Sequence, residues 1–184
     1  MSAPGDPAQP PSPEGGVETI DPTLPEVVRR LLAAGATLEP IVLDAEGQWL
    51  HQGQPFTNER VRQLFHRSID RTPGGTWVLH IPPFTYPIQV EDTPYHVRSL
   101  HMVGQGPQER VVLHLSDASE EDLVPATLRL VAGRLYCAVK GGRFQARFNR
   151  PAYYALLERL EEHDGQYWLR LAGQLVPLAV SEAP

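Results

Sequence analysis

The sequence holds one cysteine, Cys137, only two methionines and no apolar run long enough to span a bilayer. A single cysteine excludes an internal disulfide framework and points to a reducing compartment. The opening stretch MSAPGDPAQPPSPEGG has neither a basic start nor an apolar run, so it does not read as a signal peptide. A cytoplasmic protein is expected. Gly-x-Ser-x-Gly, Walker and dinucleotide fingerprints are missing. Gly104-Gln105-Gly106 lacks the third glycine and the following helix that a nucleotide site needs. No cofactor is implied, and no catalytic residue is assigned. The net charge of −6 argues against general binding to nucleic acid or acidic membranes.

What is present is an ordinary globular composition, 41% hydrophobic and 21% charged over 184 residues. That supports one domain, or two small interlocked halves. Many of the 19 prolines fall near the start. Residues 1–20 are rich in Pro, Gly, Ser and acids and read as a disordered tail. Thr23 is expected to cap a helix that has Pro25 in its first turn and stops at Gly35, within a segment 21–36. Leu24, Val27, Val28, Leu31 and Leu32 are its apolar positions.

Thr37–Asp44 then reads as a strand, with Pro40 suggesting a sheet edge. After a turn and Gln48–His51, Asn58 caps a helix running to about Asp70, with Val61, Leu64, Phe65 and Ile69 as its buried stripe. Strands are expected at Thr76–Ile81, Thr85–Val90, Tyr95–Met102 and Arg110–Ser116. In the second half, Arg134–Phe148 reads as a hairpin closed by Gly141-Gly142, a loop that requires positive φ. Its register sets Tyr136 opposite Arg147 and Lys140 opposite Arg143 on one face. It sets Val139 opposite Phe144, Cys137 opposite Ala146 and Leu135 opposite Phe148 on the core face. Asn149 caps a helix bearing Tyr153, Leu156, Leu157 and Leu160. A final hairpin covers Gln166–Leu171 and Gln174–Ala179.

The halves 37–122 and 123–184 share an order. In each, a Gly-led strand is followed by an Asn-capped helix, a glycine turn, a strand containing a Trp-hydrophobic pair and a short segment centred on Pro. Pro87 and Pro177 mark that last segment. The expected fold class is α+β: two repeated strand-helix-hairpin motifs packed into one mainly antiparallel sheet structure, plus an N-terminal helix.

Charge asymmetry is the most informative functional feature. Leu123–Leu157 contains no Asp or Glu but holds Arg129, Arg134, Lys140, Arg143, Arg147 and Arg150. The hairpin places Arg134, Lys140, Arg143 and Arg147 on one face beside Tyr136. Such a strip suits an anionic small molecule or an acidic protein surface. The alternative is a solvated face paired with Glu109 and Ser119–Asp122. Three weaker candidates are Glu91, Asp92 and His96. Glu91 and Asp92 can serve acid–base or metal chemistry, although Asp92 is expected to bond its own turn. His96, His101 and His114 do not make a convincing zinc set, because His96 and His101 are expected on opposite faces; surface histidines are expected instead. Cys137 alternates with Leu135 and Val139 and is expected to be buried and inert.

Several of these residues carry a family resemblance. They are Gly47-Gln48-Trp49 with Gly53 and Pro55, Val61–Phe65, Gly75–Leu79 with Pro83, Ile88–Tyr95 and Arg147–Tyr154. Over roughly Leu43 to Leu178 the chain resembles the bacterial family catalogued as domain of unknown function 1285. The Val-Glu-Asp-x-Pro-aromatic run is the most specific match, and the N-terminal helix departs from the pattern. The resemblance implies an α+β fold of repeated motifs and a part in signalling or ligand binding, and it brings no established activity.

The expectation is a non-enzymatic binding or regulatory module in signal transduction. Two alternatives stand beside it. One is a small enzyme acting on an anionic substrate. The other is an assembly protein using a sheet edge or the N-terminal helix.

Overall fold

The computed structural model describes residues 20–181. The expected tail over residues 1–20 therefore lies almost entirely outside the described residues.

The fold is α+β. The first helix, α1 (Glu26–Ala33), ends as expected: Gly35 takes φ 78° and its N–H donates to the Leu32 carbonyl. Its start differs. Pro25 occupies the cap position with no side-chain cap bond, and the Thr23 hydroxyl donates to Asp21 Oδ1 instead. Asp21 Oδ2 also accepts from the Thr72 and Thr76 hydroxyls, which ties the segment before α1 to the chain after the second helix. Leu24 and Val28 pack on Val78 beneath.

The next elements are β1 (Ile41–Leu43), β2 (Trp49–His51), β3 (Gln54–Pro55), α2 (Glu59–Ser68), β4 (Ile69–Arg71), β5 (Trp77–Ile81), β6 (Phe84–Pro87) and β7 (Gln89–Val90). Asn58 caps α2, its side-chain oxygen accepting from the Arg60 and Val61 amides. The helix ends earlier than its periodicity suggests, because Ile69–Arg71 leaves it to pair with Trp77–Leu79. The buried stripe also differs from expectation. His66 is 2% exposed while Leu64 is 47% exposed, since the helix turns its His66 side toward Trp49. Pro40 does not mark an edge. It precedes β1, which lies inside a sheet of order β3-β2-β1-β7, with β1 antiparallel to β2 and parallel to β7.

The chain continues through β8 (Tyr95–Val103), β9 (Arg110–Leu115), β10 (Glu120–Asp122), β11 (Arg129–Val131), β12 (Arg134–Val139), β13 (Phe144–Phe148) and α3 (Arg150–Leu157). It closes with β14 (Leu160–His163), β15 (Gln166–Leu171), β16 (Gln174–Pro177) and β17 (Ala179–Ser181). The β12–β13 ladder has the expected register, with Tyr136 opposite Arg147, Cys137 opposite Ala146 and Val139 opposite Phe144. Gly141 and Gly142 close it at φ 66° and 83°, a region costly to any residue with a Cβ. The same register runs on toward Leu135 and Phe148, and on its other edge Leu135 pairs with Leu130 of β11.

The strands do not form one sheet. Among the described residues they make four: the one above, a seven-stranded sheet of order β10-β9-β8-β13-β12-β11-β17, and the separate arrays β4-β5-β6 and β14-β15-β16. The expectation of a single sheet fails because β4 and β14 each leave a helix and begin a new antiparallel array.

The main core lies under the seven-stranded sheet, where Val97, Leu113, Leu135 and Ala146 meet Leu156 of α3 and Leu169 of β15. A second core gathers Leu43, Trp49, Ile69, Leu79 and Ile88. Trp77 packs against both.

Candidate functional site: an arginine-lined cleft

The expected cationic strip divides in two. At the hairpin tip, Lys140 is bound up: its ammonium donates to Asp117 Oδ2 at 2.7 Å and to Ser119 Oγ. Asp117 is buried, which alone raises a carboxyl pKa, but these bonds from Lys140 and Ser119 prevail and hold it below the usual range. Arg143 pairs with Asp70 at 2.9 Å and lies over the Phe144 ring. The tip is a paired surface.

At the other end, Arg134, Arg147 and Arg150 line one open cleft of 590 Å³ with Glu46, His96, Asn149 and Tyr153. Leu135 and Phe148 form its apolar floor. The cleft has a strand-helix origin. Arg134 opens β12 after the Ala132-Gly133 turn, Arg147 stands near the end of β13, and Arg150 is the first residue of α3, directly after its Asn149 cap. Asn149 spends its side-chain oxygen on the Ala152 amide, which fixes where α3 begins.

Arg147 is the best anchored of the three. Its Nη1 donates to Asp92 Oδ2 at 2.8 Å, with 12% and 16% side-chain exposure. The Tyr136 hydroxyl donates to both Asp92 oxygens, at 3.2 and 3.3 Å. Burial and the neighbouring Asp92 charge raise the Tyr136 pKa, so it stays a donor. Asp92 therefore does not bond its own turn, contrary to expectation, because the cross-strand pair Tyr136–Arg147 presents two side-chain donors to it. Glu46 Oε1 lies 3.8 Å from Arg147 Nη2 and is largely exposed. Arg134 and Arg150 are exposed and have no carboxylate partner among the described residues.

His96 is 5% exposed rather than on the surface. Its Nε2 meets the Ala45 carbonyl at 3.2 Å, and its ring lies against Gly47. A Cβ at Gly47 would fall 2.7 Å from His96 Nδ1, and Gly47 also takes φ 82°, so only glycine suits this turn. Burial lowers the His96 pKa, and the Arg147 charge adds to this, so the ring is neutral near pH 7. Glu91 sits apart, its Oε2 accepting from the Ala45 amide. His101 is exposed and its ring is 5.3 Å from that of His114. No metal-binding cluster of three His, Cys, Asp or Glu occurs among the described residues. Cys137 is buried as expected, and burial pushes its thiol up to about 12.

The sequence missed two structural groups. Asp21 and its threonines gave no signal, because their contact spans the first helix. His66 was hidden by an apolar stripe that places Leu64 in its stead. On α1, Val27 and Leu31 remain exposed, which is the feature an assembly role would use. No helix among the described residues is long and apolar enough to cross a membrane.

No family model and no curated protein matches the chain. Two solved structures do. A DUF1285 family protein from Silicibacter pomeroyi DSS-3 superposes with a TM-score of 0.63 at 22% identity, covering 77% of this chain and 80% of that one. The chain shares the DUF1285 fold. A second DUF1285 family protein, from Shewanella baltica OS155, gives a TM-score of 0.54 at 17% identity, covering 66% of this chain and 92% of that one. The family resemblance seen in Gly47–Tyr95 and Arg147–Tyr154 is thus borne out as a likeness of fold. At these identities it carries no activity to this chain.

Proposed function

We propose that this protein is a non-enzymatic binding module that recognises an anionic small molecule in the cleft between Arg134, Arg147 and Arg150, and that it acts in a cytoplasmic regulatory or signalling role. One observation carries the reading: three guanidinium groups line one cleft, and two of them have no carboxylate partner among the described residues. The volume falls within the range of small-ligand pockets, about 300–1,000 Å³. Guanidinium groups recognise carboxylate and phosphate with paired bonds. The paired state of Lys140 and Arg143 favours a compact ligand over a broad acidic protein surface.

Binding is favoured over turnover. Asp92 is committed to Arg147 and Tyr136, Glu91 to the Ala45 amide and His96 Nε2 to the Ala45 carbonyl. Asp92 and Glu91 are held by these bonds, and the other His96 nitrogen, Nδ1, is buried without a partner and closed off against Gly47.

The proposal includes an internal duplication. It is supported by the pairing of β2 with β1, of β1 with β7 in parallel, and by the matching pairing of β12 with β11 and of β11 with β17 in parallel. An Asn-capped helix and a three-stranded array follow in each half.

Native mass spectrometry of the purified protein, before and after denaturation, tests the binding role. A small anion should be retained by the natural sequence and lost from the Arg134→Glu/Arg150→Glu variant, whose altered side chains are exposed. Equal retention by the variant, or an empty natural protein, counts against the reading.

A further inference from the structure

The cleft already contains one negative group of its own. Glu46 stands on the β1–β2 turn and approaches Arg147 loosely, at 3.8 Å, while 64% exposed. Its side chain is not held by that contact, but its backbone is. Asp44 Oδ1 accepts from the Glu46 and Gln48 amides at 3.0 and 2.7 Å, and the Gly47 amide donates to the Asp44 carbonyl. The same turn rests on the buried His96 ring through Ala45 and Gly47. A hydrogen-bonded turn thus presents an exposed carboxylate to the innermost arginine of the cleft.

From this we infer that Glu46 is a built-in competitor that a bound anion displaces, and that the cleft consequently takes a dianion of the phosphate-monoester type in preference to monoanions. This rests on the anion-binding reading above. The argument is one of charge. Arg147 is already met by Asp92, so Arg134 and Arg150 supply most of the uncompensated charge. A monoanion that displaces Glu46 exchanges one single charge for another. A dianion displaces Glu46 and brings a second charge for Arg134 and Arg150. Tyr153, Leu135 and Phe148 line the same space and leave room for an apolar body on the ligand.

Isothermal titration calorimetry with two probes of matched ring size tests this. Phenyl phosphate is a dianion at about pH 7.5, since phosphate monoesters have a second pKa of about 6. Benzoate is a monoanion there. Both probes are titrated into the natural protein, Glu46→Gln and Arg134→Glu/Arg150→Glu. The natural protein should bind phenyl phosphate at least about tenfold more tightly than benzoate, one charge-assisted contact's worth. Glu46→Gln should tighten both probes by up to about fivefold, the size of a solvent-exposed ion pair. The arginine variant should bind neither. Benzoate binding as tightly as phenyl phosphate overturns the dianion preference. Affinities unchanged or weakened by Glu46→Gln overturn the competitor role, while the anion-binding reading stands if the arginine variant still loses phenyl phosphate. Phenyl phosphate failing to bind either the natural protein or Glu46→Gln removes both.

Discussion

Arg147 on β13 and Asp92 in the loop before β8 form a nearly buried ion pair, 2.8 Å from Nη1 to Oδ2. The pair joins the β7–β8 loop of the first half to the hairpin of the second. It also fixes the innermost arginine of the cleft. Replacing Asp92 with Ala leaves the Arg147 charge with little water around it and removes the acceptor of Tyr136. Loss of one partner of a buried pair costs about 3 kcal/mol. Urea denaturation should show that loss, and Asp92→Asn, which keeps an acceptor, should lose less.

His66 gives a signed pH prediction. Burial is the main cause that lowers its pKa, and the Arg98 and His96 charges add to it; the value falls from the ordinary 6.5 to about 4. The folded state thus holds a neutral ring that the unfolded chain protonates first. Its contribution to stability is complete above pH 6.5 and is lost as pH falls toward about 4. Thermal melts between those limits should show a falling midpoint, with a shallower fall in His66→Gln.

The Asp21 clamp predicts a local effect. Its carboxylate accepts from Thr23, Thr72 and Thr76, and these bonds hold its pKa well below the usual carboxylate range. Asp21→Ala should speed hydrogen exchange at α1 amides while the amides of β8, β12 and β13 keep their protection. Equal acceleration everywhere would mean that the clamp supports the whole fold.

Leu156 of α3 is fully buried among the side chains of the main core. Leu156→Ala removes that contact and leaves a cavity, a change that costs about 3 kcal/mol. A chemical denaturation midpoint shift of that size, with an unchanged slope, is the expected result.

Local signals in the sequence were accurate where the structure is local. Asn58 and Asn149 cap their helices, Gly141-Gly142 closes its hairpin, and the alternation of Leu135, Cys137 and Val139 sets the buried face. Signals failed where a distant partner decides. Ile69–Arg71 fits a helical pattern, but pairing with Trp77–Leu79 draws it into a strand. Pro40 suggested an edge, yet β1 acquires neighbours on both sides because β7 returns in parallel. Single-sheet packing failed for the same reason. The cleft was half legible. Its arginines stood out as a run free of acids, but the Asp117, Asp70 and Asp92 partners that split that run come from far along the chain.

Anion binding in the Arg134–Arg147–Arg150 cleft is tested most directly by a phosphate titration followed by amide NMR at constant ionic strength. The account predicts saturable shifts centred on Arg134, Arg147, Asn149, Arg150 and Tyr153. Shifts centred on Lys140 and Arg143, or small unsaturable shifts spread over the surface, would contradict it.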